Sequence, residues 1–186
     1  MKYVGMWEVA FDENNVAFPG LGNCHGIVYV NDDGLFAYHL AGTRKQYEID
    51  AFAHFVTAHP HGGAAARGLY GYCPTNRFTG GDREHKAELK LIAAALNYNG
   101  KIYGYRWDIE QLGWGTTFVD VHFKPAFMSS IEKFEDIKES ATNPSPADHK
   151  SAHLNPNAPS VAVNLDDVMV YALRTGTPTF FSAKEL

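Results

Sequence analysis

Two short apolar runs, Gly26–Val30 and Leu35–Leu40, bracket Asn31-Asp32-Asp33-Gly34, whose Asp and Gly residues tolerate the positive φ angles of tight hairpin turns. Side chains alternate along a strand, so Val28, Val30, Leu35 and Ala37 fall on one face, with Ile27, Tyr29, Phe36, Tyr38 and Leu40 on the other. Both faces are apolar, which calls for a hairpin buried on both sides, inside a layered fold. Three turn lengths compete. If all four of Asn31 to Gly34 form the loop, Val30 opposes Leu35 and His39 opposes Gly26. Cys24 then lies one diagonal step from His39 on the same face, roughly 7–8 Å between Cα atoms. If Asp33-Gly34 alone turn the chain, His39 opposes Val28 and Cys24 is too far along the strand for a hydrogen bond. A three-residue loop sends His39 to the other face.

The rest of the chain supplies the layers. Tyr3, Val4, Met6, Trp7, Val9 and Phe11 make a strand-like run over 3–11, ended by the polar turn Asp12-Glu13-Asn14-Asn15 and followed by a loop to Cys24. Ile49, Phe52, Ala53 and Val56 predict a helix over 45–57, with a capping box at Thr43-Arg44-Lys45-Gln46. A glycine-punctuated strand covers Arg67 to Cys73 and stops at Pro74. Leu89, Ile92, Ala93 and Leu96 mark a second helix with Asp82 as N-cap and Asn99-Gly100 as breaker. Strands over 101–108 and 116–123 follow, joined around Gly113 and Gly115. Residues 139–160, with Pro144, Pro146, Pro156 and Pro159, read as a long surface loop, and 161–173 as an added closing strand. The expectation is one α+β domain over 1–186: a central mixed β-sheet or sandwich flanked by two main helices, with a Cys-strand-turn-strand-His hairpin in the core.

Composition narrows the partners. With a formal charge of -5 and no basic stripe, nucleic acid is not an expected partner. No run reaches transmembrane length, and Glu8 interrupts the place where a signal peptide would carry its apolar core, so no membrane is expected either. Two cysteines do not make a disulfide framework, and a reduced compartment leaves Cys24 able to react. The location expected is cytoplasmic, or that of a secreted effector without a cleaved signal.

Cys24 closes the turn-rich approach Phe18-Pro19-Gly20-Leu21-Gly22-Asn23 and leads directly into a strand. A thiol has a pKa of about 8.5, and an adjacent imidazolium lowers it to roughly 3.5–7.5, the thiolate being the nucleophile. In this reading His39 supplies that charge and later protonates a leaving group. His25 is the weaker candidate base, because adjacent strand residues point to opposite faces. Backbone N–H groups near Asn23 and Cys24, the Asn23 amide or the Gly22 turn offer an oxyanion site.

Leu21-Gly22-Asn23-Cys24, then strand, acidic turn and a strand carrying His39 fifteen residues on, resembles the superfamily of chemoreceptor glutamine deamidases and cytotoxic necrotising factor type toxins. The likeness runs over about residues 20–123, including the helix, glycine-bearing strand and second helix introduced by Gly81-Asp82-Arg83-Glu84. Asn23 stands where that family often has serine. The resemblance implies a cysteine hydrolase that converts glutamine side chains of a protein substrate to glutamate through a thioester, with Cys24 as nucleophile, His39 as base and no cofactor or metal. It also implies a third group that orients the histidine, a threonine hydroxyl or a backbone carbonyl. No Ser or Thr lies between Asp12 and Asn23, so the carbonyl of Phe18 or Pro19 is the expected substitute.

Rival readings come from other residues. A papain-like peptidase or amidase is the nearest enzymatic alternative, but there the nucleophile heads a helix, whereas Gly26–Val30 is strand-like. A non-enzymatic binding domain would instead use the histidines: His54, His59 and His61 lie close in sequence, with Cys73 or His85 able to join through space around a metal. Histidines at the end of a helix also complement its dipole without any ligand. Tyr70, Tyr72, Tyr103, Tyr105, Trp107 and Trp114 alternate as core and sheet-face aromatics, some walling a cleft. Asp120 and His122 are expected to face solvent.

Overall fold

The computed structural model describes residues 2–5, 7–40, 46–112, 117–133, 152–154, 161–162 and 178–186. In chain order the elements are β1 (Lys2–Tyr3), β2 (Glu8–Asp12), β3 (Asn15–Pro19), β4 (His25–Asn31), β5 (Leu35–Leu40), α1 (Gln46–Ala58), β6 (Ala66–Pro74), α2 (Asp82–Ala95), β7 (Ile102–Trp107), α3 (Ile109–Leu112), β8 (Thr117–His122), β9 (Met128–Lys133), β10 (Ala152–Leu154), β11 (Val161–Ala162), β12 (Thr179–Phe181) and β13 (Lys184–Glu185). They build an α+β fold with two mixed sheets, one ordered β1-β3-β8-β9-β12 and the other β11-β10-β2-β5-β4-β6-β7-β13. None of the helices described is long and apolar enough to cross a membrane.

The eight-stranded sheet is the middle layer. Val28, Val30, Leu35 and Ala37 on one of its faces pack with Val16, Phe18, Val119, Val121 and Ile131 of the five-stranded sheet. Ile27, Tyr29, Phe36, Tyr38 and Leu40 on the other face pack under Ile49, Phe52 and Val56 of α1 and Leu89, Ile92 and Ala93 of α2. Every residue of β4 and β5 is buried. Each large apolar side chain there contributes roughly 1.5–3 kcal/mol by leaving water, and a slip of one residue would misplace all of them at once.

Hairpin register follows the four-residue alternative: Val30 pairs with Leu35, and Gly26 with His39. The turn is closed by the buried Asn31, whose Oδ1 accepts the N–H groups of Asp33 at 3.0 Å and Gly34 at 3.1 Å. Its Nδ2 donates to the carbonyl of His61 at 2.7 Å. Gly34 is required by space, since a Cβ there would lie 2.6 Å from the carbonyl oxygen of Asp12.

Several elements depart from the sequence reading. The run over 3–11 is two strands in different sheets: β1 lies parallel to β3, whereas β2 pairs with β5. Between them the chain turns at Trp7, whose φ is 63°, and the buried Glu8 accepts the Gly5 N–H at 2.6 Å. Hydrophobic pattern alone cannot register this break, because a tertiary crossover, not polarity, makes it. The expected loop before Cys24 contains β3, whose partner β8 lies about a hundred residues away in sequence. For α2 the N-cap is Gly81, with φ 69°, and the Asp82 carboxylate instead pairs with Arg106 at 2.8 Å. Part of the expected 139–160 loop is β10, paired with β2, and of the closing strand over 161–173 the described portion is β11. Thr43, Gly113, Gly115 and the prolines Pro144, Pro146, Pro156 and Pro159 lie outside the described residues.

Gly34→Ala is expected to destabilise the fold by about 1–3 kcal/mol, because backbone must move to admit one methyl group. Urea unfolding checks this, and a midpoint equal to that of the unsubstituted protein would contradict the packing described for the turn.

Candidate functional site

Strand alternation sends Cys24 and His39 to the face between the two sheets. Cys24, half-buried at the foot of β4, packs against the cluster containing Val28 and Ala37, and neither it nor Cys73 forms a disulfide. His39 is buried, its ring edge-on to Phe18 at 6.2 Å between centroids. Phe18 and Leu21 fill the space above Gly26, where a Cβ would lie 3.1 Å from each. Gly26 therefore lets two large side chains close over the strand beside the histidine.

A backbone carbonyl does orient His39, but it belongs to Val4 and not to Phe18. Nδ1 donates to the Val4 carbonyl oxygen at 2.9 Å. The crossover from β1 to β2 brings that carbonyl over the ring, and Trp7 N–H donates to the His39 carbonyl at 3.0 Å. Phe18 sits in β3, within the ladder to β8. With Nδ1 as donor, Nε2 is the lone-pair nitrogen of the neutral ring, and it has no hydrogen-bond partner among the described residues, Cys24 included. Burial drives the His39 pKa down to about 4, against the opposing pull of the Val4 carbonyl. The imidazole is therefore neutral near pH 7, which corrects the expectation that it supplies a resting positive charge to the thiol.

The two expected oxyanion residues separate. The Gly22 N–H is taken by the Gly20 carbonyl at 2.7 Å within the turn, where Gly20 has φ 67°. That donor is committed locally, so Gly22 is not an oxyanion group in this conformation. Asn23 is exposed, and its own carbonyl accepts Arg77 Nη1 at 2.8 Å.

On the opposite face, one residue along, a second group of side chains converges. His25, His85 and Cys73 each offer a ring nitrogen or sulfur atom within 4.8 Å of the others, all three residues buried. The two Nε2 atoms are 3.0 Å apart. His25 Nδ1 meets Glu88 Oε1 at 2.7 Å, and the same oxygen accepts Arg77 Nη2 at 3.0 Å. Burial favours a protonated Glu88, but the His25 hydrogen bond and the Arg77 charge outweigh it and hold the carboxyl down to about 2. Burial lowers the His25 pKa despite Glu88, so the pair is a carboxylate accepting from a neutral imidazole. His85 is driven to about 2 by burial and by the neighbouring His25, Arg106 and Arg77. Burial pushes the Cys73 thiol upward. Phe78 stacks on His85 and stands edge-on to His25.

This cluster escaped the sequence reading, which joined Cys73 or His85 to His54, His59 and His61. The signal was present in α2: stepping back four residues from Leu89 and Ile92 reaches His85 and Glu88, so the buried face carries two polar groups. Alternation likewise puts His25 on the helix side of β4. His59 and His61 pack against Phe11, with His61 Nδ1 3.0 Å from Asp33. Asp120 is buried, contrary to its expected exposure: β8 is the central strand of its sheet, and Asp120 pairs there with Ala17 of β3 and Ser130 of β9. An aromatic cleft of about 180 Å³ is lined by Tyr70, Tyr103, Phe127, Met128 and Phe181, among others, but by none of Gly22, Asn23, Cys24 or His39.

No protein-family model matches this chain, and no curated protein matches it in sequence.

Protonation gives the site a stability signature. In the unfolded chain His39 takes up a proton near pH 6.5, whereas in the folded chain it does so only near 4. Between those values the unfolded state binds more protons, so the His39 contribution to stability is fully present above pH 6.5 and is lost as the pH drops through the window. The share of His39 reaches on the order of 3 kcal/mol at the acid end. His25 and His85 are shifted in the same direction and steepen the fall. Unfolding midpoints from pH 7.5 to 4 should decline more gently for His39→Gln than for the unsubstituted protein, and parallel declines would mean that His39 is not held neutral.

Proposed function

We propose that this protein is a cysteine hydrolase that deamidates glutamine side chains of a protein substrate, with Cys24 as nucleophile and His39 as general base. The observation that carries the reading is the pairing of Gly26 with His39, which sets Cys24 and His39 on one sheet face at diagonal positions. The Val4 carbonyl adds the orienting group that such a dyad needs, by holding Nδ1 and leaving the basic nitrogen as Nε2.

A neutral imidazole suits a base that acts during the reaction. As Cys24 Sγ attacks the carboxamide carbon, its proton passes to His39 Nε2 and a C–S bond forms, with the carbonyl electrons moving to oxygen. Collapse of the tetrahedral intermediate breaks the C–N bond, the Nε2 proton leaves with ammonia, and a thioester remains. Water then adds to the thioester, giving up a proton to Nε2, and the thiol is regenerated as glutamate leaves. No Cys24–His39 hydrogen bond exists in the resting structure, and catalytic hydrogen bonds commonly tighten only when substrate binds. In this reading backbone N–H groups around Asn23 and Cys24 serve the developing oxyanion. Soluble protein partners fit the net negative charge better than nucleic acid does.

Candidate proteins treated with the enzyme should gain about one dalton per modified glutamine, with release of ammonia, and Cys24→Ala should abolish the gain. His39→Ala is expected to reduce the rate by about 10²–10⁴-fold. Mass spectra that are the same with Cys24→Ala would overturn the proposal.

A further inference from the structure

We propose that His25, Cys73 and His85 form a buried site for a thiolate-binding transition-metal ion, zinc by preference, on the helix side of the central sheet. This goes beyond the hydrolase reading and stands whether or not Cys24 is a nucleophile. Three donors of the right chemistry lie within 4.8 Å of one another, from three elements distant in sequence: the start of β4, the end of β6 and the first turn of α2. Zinc binds imidazole nitrogen at about 2.0–2.1 Å and thiolate at about 2.3 Å, so two nitrogen ligands at a tetrahedral angle stand about 3.3 Å apart. The two Nε2 atoms are already 3.0 Å apart.

Two further observations distinguish this group from an ordinary buried histidine pair. The first is the carboxylate behind His25. Glu88 Oε1 accepts a hydrogen bond from His25 Nδ1–H at 2.7 Å, which fixes the tautomer with its lone pair on Nε2, the nitrogen that faces His85. Ligating histidines are held in this way by an outer carboxylate, and Arg77 in turn holds Glu88. The second is the floor of the site. Gly71 of β6 and Gly104 of β7 are register partners, and both lie beneath the imidazoles. A Cβ on Gly71 would collide with His25 Nε2 and lie 2.7 Å from His85 Nε2, while one on Gly104 would lie 2.6 Å from His85 Cε1. The paired glycines leave the room in which the donors meet.

Two neutral imidazoles and one thiolate give a bound divalent ion a charge of +1 at its ligands, with the Glu88 carboxylate and Arg77 balancing each other behind them. Three protein ligands leave a fourth position for a small exogenous ligand. Because His25 adjoins Cys24 and Arg77 also holds the Asn23 carbonyl, such an ion would anchor the foot of β4 from beneath.

The test uses the full chain, reduced and stripped with a chelator, then titrated with Zn²⁺ against a chromophoric competitor. One equivalent should bind. Co²⁺ in its place should give a thiolate-to-cobalt charge-transfer band that Cys24→Ser keeps and Cys73→Ser loses, and Glu88→Gln should weaken binding by about 10–100-fold. If Cys73→Ser does not fold, X-ray absorption of the zinc-loaded unsubstituted protein decides, with one sulfur and two imidazoles expected in the first shell. A failure to bind stoichiometrically, a shell without sulfur, or a cobalt band that depends on Cys24 would overturn the site.

Discussion

The β4–β5 register is the constraint on which the rest of the molecule depends. Asn31 closes the turn with its Oδ1 and ties it to the His61 carbonyl with its Nδ2, and Gly34 fits only because it lacks a side chain. From that closure, pairing runs without interruption from Val30–Leu35 to His25–Leu40. Each residue's face then follows by alternation, and with it the two cores that hold the sheets and helices together. The polar turn at one end of the hairpin thereby sets the chemistry at the other, where Cys24 and His39 share one face and His25 takes the opposite one.

Neutral histidines are the common electrostatic theme. Burial outweighs the hydrogen bonds that would charge them, so the Val4 carbonyl and the Glu88 carboxylate act mainly on which nitrogen carries the proton. In both cases Nδ1 is the held nitrogen and Nε2 the one presented. The Phe18 edge and the Phe78 ring provide the low-dielectric surroundings in which that choice persists.

Local signals in the sequence carried the elements that local physics determines. The alternating hydrophobic runs and the acidic turn gave the hairpin, and the spacings of Ile49, Phe52 and Val56 and of Leu89, Ile92 and Ala93 gave the two main helices. Features made by distant contacts were not legible in the same way. β3 is recognisable only through β8, and the break at Trp7 exists because the chain changes sheets there. The orienting carbonyl of Val4 could not be read from spacing for the same reason: thirty-five positions separate it from His39, and only the crossover joins them. The His25–Cys73–His85 group required knowing that β4 and β6 are neighbours, although the polar pair His85 and Glu88 on the apolar face of α2 already marked that helix as unusual.

The crossover between β1 and β2 also has a mechanical consequence. Its residues belong to one sheet at Val4, where the N–H donates to Ala17, and reach the other at Trp7, where the N–H donates to His39. The His39 ring is thus held between the two walls of the sandwich, its backbone in β5 and its Nδ1 bonded to the Val4 carbonyl. One imidazole thereby ties the middle strands of one sheet to the carbonyl of a residue whose own N–H is bonded to the other.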